Sequence, residues 1–185
     1  DVYKRQLFCS PIVHRQERGD YQESWQPIEM NQDRLREAQE IAKKVTDQLG
    51  GVGLFGVELF ITDDEVIFSE LSPRPHDTGM VTLVSQNLSE FDLHARSILG
   101  LPIPEILINK PAASHVVLAE KDGMSPKYIG VEDALSIAGV DVRIFGKTTS
   151  RVNRRMAVCL ATADSVKEAR QKASKAAKLI TLSYE

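Results

Sequence analysis

The sequence predicts an α+β fold in which antiparallel strands and helices intermix. Two amphipathic helical stretches, at residues 31–49 and 89–100, flank two β-branched and aromatic stretches joined by a polar turn. Beyond residue 110, apolar strand-like stretches alternate with helical ones. The 185 residues are 42% hydrophobic and 26% charged, a composition that excludes a disordered, collagen-like or membrane-spanning chain.

The N-terminal quarter is predicted to hold one strand, one loop and one long helix. Residues 1–14 are interpreted as the end of a strand, and residues 15–27 as a polar loop turning at Gly19 and Asp20. Asn31 is a candidate N-cap for the helix, which stops at Gly50-Gly51. Its apolar residues recur at helical spacing: Leu35, Ala38, Ile41, Ala42, Val45 and Leu49.

A hairpin, a loop and a second helix are predicted next. Residues 53–61 and 66–71 are rich in β-branched and aromatic residues around a polar turn, which is typical of a β-hairpin. Residues 72–79 contain two prolines and no regular period. Ser89 with Asp92 three residues on forms a shortened capping box for a helix that ends at Gly100.

The C-terminal part is predicted to be built from shorter elements, after a boundary within residues 102–111. The final helix places its apolar residues on one side and Lys167, Lys172, Lys175 and Lys178 on a solvated face. The predicted strands are residues 115–120, 140–145 and 155–163, and the predicted helices are residues 131–137 and 164–180.

Two acidic residues on the hairpin are the most informative feature of the sequence. If the turn is residues 63–65, Thr62 pairs with Val66, Phe60 with Phe68, and Glu58 with Glu70. The period of two then places Glu58 and Glu70 on one face, directly opposite each other. Two facing carboxylates repel, and Mg²⁺, which binds one or two carboxylates together with phosphates, would compensate them.

The alternative is a turn of two or four residues. Such a turn slips the register and separates Glu58 from Glu70, so that each is solvated or paired with an arginine. The pattern of residues alone leaves both alternatives open.

Polar side chains are dense in the loop that follows Glu70. Arg74, His76 and Asp77 could bind an anion, an amine or a phosphate, on a backbone stiffened by Pro73 and Pro75. The alternative is a surface turn with a chance run of polar residues.

The charge distribution is compatible with nucleic acid and equally with a smaller anion such as a phosphate. Residues 141–185 hold 10 Lys and Arg against 4 Asp and Glu, a net of +6, whereas residues 1–140 hold 13 against 22, a net of −9. The basic part has few aromatic residues and no RNA-binding signature. Lys147, Arg154 and Arg155 would converge at the ends of a connecting loop and suit a phosphomonoester. The alternative is a solvated, charged β-turn.

The two cysteines, Cys9 and Cys159, form no C-x-x-C pair and have no histidine cluster around them. They indicate neither a disulfide framework nor a zinc site, so we expect buried free thiols and a cytoplasmic protein. The chain opens on Asp1 and has neither a signal-peptide nor a transit-peptide pattern. We therefore expect it to start partway through a longer polypeptide.

Residues 53–102 resemble the C-terminal half of an ATP-grasp ligase, most closely the formate-dependent phosphoribosylglycinamide formyltransferases of purine synthesis. The most specific motif is SPRPHDTGM at 72–80, and the resemblance extends to residues 14–27, 111–118 and 143–163. The related carboxyaminoimidazole ribonucleotide synthases typically read PRPHNSGH at this motif. Asp77-Thr78-Gly79-Met80 in this sequence favours the formyltransferases.

The resemblance implies a fold and a set of site residues. Residues 1–108 would be the C-terminal part of the ATP-grasp domain, an antiparallel sheet with helices, and residues 109–185 a small α/β C-terminal domain. By position, Glu58 and Glu70 match the Mg²⁺ ligands of the family. Asp77 matches a residue that contacts the glycinamide ribonucleotide, and as the catalytic residue it would orient the amine and take its proton. The other substrate-binding positions of the family, at the 5′-phosphate of the substrate, are matched in this sequence by Lys147, Arg154 and Arg155.

The implied reaction is the ATP- and Mg²⁺-dependent formylation of phosphoribosylglycinamide with formate, through formyl phosphate. No glycine-rich phosphate loop occurs in the 185 residues, so we expect the ATP contacts to lie upstream and this fragment to be inactive alone. The complete protein is expected to be a homodimer that binds neither nucleic acid nor membrane. Two alternatives are a carboxyaminoimidazole ribonucleotide synthase-type ligase and a non-catalytic phosphate-binding or dimerisation module.

Overall fold

The computed structural model describes residues 6–184 and has the predicted α+β architecture. A short 3₁₀ helix, Asp77–Val81, interrupts the regular elements after the second hairpin. In chain order the elements are β1 (Val13–Glu17), β2 (Asp20–Gln26), α1 (Gln32–Leu49), β3 (Gly56–Ile61), β4 (Val66–Ser72), α2 (Thr82–Ser85), α3 (Glu90–Leu99), β5 (Ala112–Leu118), β6 (Gly123–Met124), β7 (Lys127–Ile129), α4 (Val131–Leu135), β8 (Val140–Ile144), β9 (Thr149–Ser150), β10 (Arg155–Thr162), α5 (Val166–Leu179) and β11 (Thr181–Ser183).

A five-stranded sheet in the order β1-β2-β5-β10-β8 forms the centre of the fold. Every neighbouring pair in this sheet is antiparallel. The three remaining sheets are two-stranded, pairing β3 with β4, β6 with β9, and β7 with β11. The central sheet therefore draws strands from both ends of the chain, and the β3–β4 hairpin stands outside it.

Both faces of the central sheet are covered, so β10 is buried along most of its length. Ala157, Cys159 and Ala161 pack on one face against alanines of α5, together with Ala134 of α4. The alternate residues Met156, Val158 and Leu160 are also fully buried. Because side chains alternate along a strand, these three lie on the opposite face, where α2 contacts β5 and β10. A strand buried on both sides reads as a continuous apolar run, as RMAVCLAT does.

The helices predicted from local signals are confirmed. Asn31 caps α1 by accepting a hydrogen bond from the Asp33 N–H. Ser89 and Asp92 form the reciprocal capping box of α3, which ends at Gly100 in the left-handed conformation. In α5 the alanine face is buried and Lys167, Lys175 and Lys178 are exposed, whereas Lys172 is half-buried and forms a 3.1 Å ion pair with Glu168.

The prediction for the N-terminal segment was wrong. Residues 15–27 are not a loop but most of a β-hairpin, in which Val13 pairs with Trp25 and Glu17 with Asp20. The strand predicted over residues 1–14 begins only at Val13, and residues 1–5 lie outside the described residues. The hairpin escaped detection because it buries polar rather than apolar side chains, among them Gln22, Glu23, Ser24 and Gln26.

In the C-terminal part the three predicted strands and both predicted helices are present, with shifted ends. The short strands β6, β7, β9 and β11 were not predicted. The boundary at residues 108/109 stays a prediction, and the pairing of β2 with β5 carries the central sheet across it. Within residues 6–184 no helix combines the length and the apolar character that crossing a membrane requires.

Gly130 lies close to the end of α5, and Gly19, which has a similar backbone conformation but no close neighbour, serves as its control. Gly130 and Gly19 both have positive φ, +85° and +79°. A Cβ on Gly130 would lie 2.0 Å from the Leu179 carbonyl oxygen, whereas a Cβ on Gly19 would meet nothing within 4 Å. We expect Gly19→Ala to lower the free energy of unfolding by about 1 kcal/mol, the cost of the left-handed backbone. Gly130→Ala should cost about 3 kcal/mol because overpacking is added.

Urea denaturation of the two purified variants beside the parent protein measures this difference. Equal losses in the two variants would contradict the close contact of Gly130 with α5.

Candidate active site

The β3–β4 hairpin places Glu58 directly opposite Glu70, as the sequence predicted, but by a different register. The turn has four residues, with Ile61 paired to Val66 and Phe60 to Ile67, so the predicted Thr62–Val66 and Phe60–Phe68 pairs were wrong. One extra residue on β4, Ser69, forms a bulge between the Leu59–Phe68 and Glu58–Glu70 pairs. The bulge cancels the slip that a four-residue turn introduces, and the two carboxylates face each other after all.

Histidines, not cations of fixed charge, surround this pair. The His76 Nε2 lies 3.4 Å from Glu58 Oε1 and 3.9 Å from Glu70 Oε1. The His14 Nε2 approaches Glu58 Oε2 to 3.8 Å from the other side. Ser72 donates a hydrogen bond of 3.1 Å to Glu70. The Glu58 side chain is 16% exposed and that of Glu70 is 58% exposed, so the pair is half enclosed and open on the Glu70 side.

The donor set fits a magnesium ion that completes its coordination from outside the protein. Among residues 6–184 no lysine or arginine forms an ion pair with Glu58 or Glu70, so their mutual repulsion is not balanced by a fixed charge. The described residues contain no group of three or more metal-binding side chains arranged around one point. Two carboxylates without further protein ligands suit Mg²⁺, which keeps waters and binds substrate phosphates.

The loop after Glu70 carries two consecutive side chains to opposite sides. His76 has an extended backbone, with φ −122° and ψ 146°, and caps the 3₁₀ helix by accepting from the Thr78 N–H. In extended backbone neighbouring side chains point apart. His76 therefore turns to the carboxylate pair, while Asp77 forms an ion pair of 2.5 Å with Arg155 at the start of β10.

The three predicted basic residues are brought together near Asp77. Lys147 donates a 2.6 Å hydrogen bond to the Arg155 carbonyl oxygen, and Arg154 donates to the carbonyl and hydroxyl oxygens of Thr149. Burial, together with the charges of Arg154 and Arg155, lowers the pKa of Lys147 below its ordinary value. Arg155 joins this cluster to the loop through Asp77, and three cations so arranged could hold a doubly charged phosphate.

A buried hydroxyl cluster supports the loop and Arg155. Tyr21 is 5% exposed, its hydroxyl contacts those of Ser114 and Ser24, and burial raises its pKa to about 12. The Ser24 hydroxyl donates to the Thr78 carbonyl oxygen at 2.8 Å. The Arg155 guanidinium lies over the Tyr21 ring, 5.9 Å from its centre. The central sheet thus holds both partners of the Asp77–Arg155 pair.

Glu90, at the first turn of α3, is a buried carboxyl beside the loop of residues 73–79. It is 6% exposed and accepts a 2.8 Å hydrogen bond from the His76 backbone N–H. Burial raises its pKa to about 7, against the opposing effect of the His76 N–H.

Sequence reasoning missed His14, Tyr21 and Glu90. His14 and Tyr21 belong to the hairpin that was interpreted as a strand end and a polar loop, and they reach the site only through the sheet order. Glu90 stands between the two capping residues Ser89 and Asp92, where an acidic residue is expected for reasons of helix stability alone. No local signal distinguishes any of the three.

Comparison with known families accounts for most of the chain. Residues 2–91 match the ATP-grasp domain, and residues 112–180 match the PurT C-terminal domain. The chain belongs to the ATP-grasp proteins of the PurT type. The loop with His76 and Asp77 lies within the ATP-grasp match, and Lys147, Arg154 and Arg155 lie within the PurT match.

Relatives and solved structures agree with this assignment. The chain is 63% identical to a formate-dependent phosphoribosylglycinamide formyltransferase of Trichormus variabilis over 179 residues, 97% of this chain and 46% of the relative. The structure of glycinamide-RNase-transformylase T from Mycobacterium tuberculosis matches with 39% identity and a TM-score of 0.77, over 93% of this chain and 45% of that one. The N5-carboxyaminoimidazole ribonucleotide synthetase of Thermotoga maritima matches with 33% identity and a TM-score of 0.78, over 88% and 46%. The chain thus spans about half the length of the relatives it matches.

The PurT-type chain should show a pH-dependent stability that depends on Glu90. The Glu90 carboxyl binds its proton more tightly in the folded protein than in the unfolded chain, where it has its ordinary pKa of 4.5. The contribution of Glu90 to stability is therefore fully present below pH 4.5 and is lost as the pH rises through 7. Its span is about 3 kcal/mol, since one pKa unit corresponds to about 1.4 kcal/mol.

The measurement is urea denaturation of the parent protein and Glu90→Gln between pH 4 and 8. We expect the variant to gain stability relative to the parent as the pH rises. A difference that stays constant over this range would contradict the raised pKa.

Proposed function

We propose that this chain supplies the metal-binding and substrate-binding half of an enzyme that formylates 5-phosphoribosylglycinamide with formate and ATP, a step of de novo purine (IMP) biosynthesis. The observation that carries the proposal is the loop 73–79, which joins a facing carboxylate pair to a basic cluster through the adjacent residues His76 and Asp77. Support for the specific reaction comes from the curated relatives, which are 57–63% identical and named for it.

Glu58 and Glu70 are the residues that would hold Mg²⁺. The ion, when bound, would neutralise negative charge on the phosphates of ATP during phosphoryl transfer. His14 and His76 flank Glu58, with one Nε2 3.8 Å from Oε2 and the other 3.4 Å from Oε1. Because Glu70 is the more exposed carboxylate, the nucleotide would approach from its side.

Two successive transfers make up the proposed reaction. A formate oxygen attacks the γ-phosphorus of ATP, ADP leaves, and formyl phosphate results. The amine of the glycinamide group then attacks the formyl carbon, and phosphate leaves as the carbon–nitrogen bond forms. The amine must lose a proton in this step, and Asp77 is placed to orient the amine and to accept that proton.

The Asp77–Arg155 ion pair suggests how substrate binding would prepare Asp77. A 5′-phosphate is doubly charged near neutral pH and competes well for Arg155, with Lys147 and Arg154 beside it. When the substrate phosphate binds, it would replace Asp77 as the ion-pair partner of Arg155. The Asp77 carboxylate would then be free to contact the substrate amine. The Tyr21 ring beneath Arg155 keeps the guanidinium in place during this exchange.

A carboxyaminoimidazole ribonucleotide synthase-type ligase, which would use bicarbonate instead of formate, is the second candidate. It is favoured by the similarity to the Thermotoga maritima synthetase. Against it stands Asp77, because the asparagine typical of those synthases could not form the ion pair with Arg155. A non-catalytic phosphate-binding or dimerisation module is the third candidate.

A chimera tests the proposed activity directly. This chain replaces its aligned counterpart in the Trichormus variabilis relative, and ADP release is measured with phosphoribosylglycinamide and either formate or bicarbonate. We expect ADP release that depends on formate and is lost in both Glu58→Gln and Arg154→Ala. The isolated 185-residue chain should release none.

The outcomes separate the three candidates. Activity with bicarbonate and aminoimidazole ribonucleotide instead would favour the second. If neither substitution changes activity or ligand binding, the enzymatic roles of both residues are refuted.

Because Glu58 and Glu70 face each other, Glu70→Gln should stabilise the protein when Mg²⁺ is absent and remove the stabilisation that Mg²⁺ provides when it is present. In EDTA, Glu70→Gln should raise the free energy of unfolding by about 0.5 kcal/mol, because it removes the repulsion across the hairpin. At a Mg²⁺ concentration of about ten times Kd, the parent protein should gain about 1.4 kcal/mol that the variant does not.

Thermal unfolding of the chimera and of its Glu70→Gln variant, each in EDTA and in MgCl₂, measures both effects. Glu65→Gln is the matched control, because Glu65 lies in the turn of the same hairpin and has no facing carboxylate. A Mg²⁺ effect that survives Glu70→Gln would refute the assignment of this metal site.

A further inference from the structure

Both ends of the turn that carries His76 and Asp77 are attached to one residue, Glu90. The Glu90 side chain accepts the His76 backbone N–H at 2.8 Å. The Glu90 backbone N–H donates to the Thr82 hydroxyl at 2.9 Å, and that hydroxyl donates to the Gly79 carbonyl oxygen at 2.6 Å. The first residue of α3 thus fixes residues 76–79 at their beginning and at their end.

The close approach of Glu90 to this turn depends on a glycine. A Cβ on Gly79 would lie 2.2 Å from Glu90 Oε2 and 2.6 Å from its Cδ. Since real Cβ atoms do not come this close to other heavy atoms, any side chain at residue 79 would displace the carboxyl from the His76 N–H. The length of the glutamate side chain and the absence of one at Gly79 are therefore matched.

Holding the turn in this way carries a cost for folding. Glu90 is buried, with 6% of the residue exposed, and among the described residues its Oε1 has no hydrogen-bond partner. Among residues 6–184 no ion pair within 4.0 Å includes Glu90, and Arg74 acts on it only at longer range. Burying an incompletely satisfied carboxyl lowers the stability of the folded protein. The arrangement therefore points to a role outside stability.

We propose that Glu90 is a positioning residue for the formyl transfer: its side chain fixes the turn of residues 76–79, and so places His76 at the carboxylate pair and Asp77 at the basic cluster. The proposal rests on the proposed function, because it concerns the same reaction. What Glu90 contributes is reach, the distance its side-chain oxygen spans to the His76 N–H, and not its charge.

Reach and charge can be separated by two substitutions. Glu90→Gln keeps the length and a side-chain oxygen that accepts the His76 N–H, but removes the ionisable group. Glu90→Asp keeps the ionisable group but is shorter by one carbon–carbon bond, about 1.5 Å, and cannot span the distance. Asp92→Ala is the matched control, because it breaks the capping box of the same helix start without contacting the turn.

The experiment compares steady-state kinetics and thermal unfolding of the chimera described above with those of the three variants. We expect Glu90→Asp to lower kcat roughly 10- to 100-fold, as misplacement of reacting groups by about 1 Å does, with KM for ATP changed by less than about threefold. Glu90→Gln should stay within about threefold of the parent kcat. Asp92→Ala should lower the unfolding temperature at least as much as Glu90→Asp while keeping its kcat.

Three outcomes would overturn the proposal. They are an unchanged kcat in Glu90→Asp, a kcat in Glu90→Gln as low as in Glu90→Asp, or an equal loss of kcat in Asp92→Ala. If instead the parent chimera shows no formate-dependent activity, the proposed function itself is refuted, and the two failures are thereby distinguished.

Discussion

The antiparallel pairing of β2 with β5 is the contact on which the site depends. It sets Ser24 opposite Ser114, residues 90 positions apart, and buries both hydroxyls against that of Tyr21. Ser24 then holds the Thr78 carbonyl oxygen, and Tyr21 lies beneath Arg155. A long-range pair of this kind closes a large loop, and its entropic cost is offset here by the largely buried strands β5 and β10 beside it. Without that pair the loop and the basic cluster would have no common support.

The hairpin shows why register is harder to predict than sidedness. The alternation of residues places Glu58 and Glu70 on one face for a three-residue turn, and that conclusion holds although the turn has four residues. The bulge at Ser69 restores what the longer turn would shift. Nothing in the residues 66–72 announces a bulge, because Ser69 fits a regular strand equally well. The facing of the two carboxylates was therefore predictable, and the hydrogen-bonding pattern that produces it was not.

Local and non-local signals explain the remaining agreement and disagreement. The caps at Asn31 and Ser89 act within three residues, so the sequence alone locates both helix starts. The position of β1 and β2 is set by partners about 90 residues away, and their buried glutamine, glutamate and serine side chains give no apolar alternation. Consequently the residues recognised in advance are those with a motif, whereas His14 and Glu90 emerge only from packing.

Residues 76 and 77 connect the acidic and the basic parts of the chain, because His76 contacts the facing carboxylates and Asp77 contacts Arg155. An extended backbone sends two consecutive side chains in opposite directions, one to Glu58 and the other to Arg155. Any displacement of this short segment must therefore disturb the acidic and the basic cluster together. In the proposed reaction the two transfers share formyl phosphate, which would have to form within reach of the amine used in the second step. The two-residue link between the clusters would meet that requirement under this proposal, and its attachment to Glu90 would then matter more than the strength of any one contact within it.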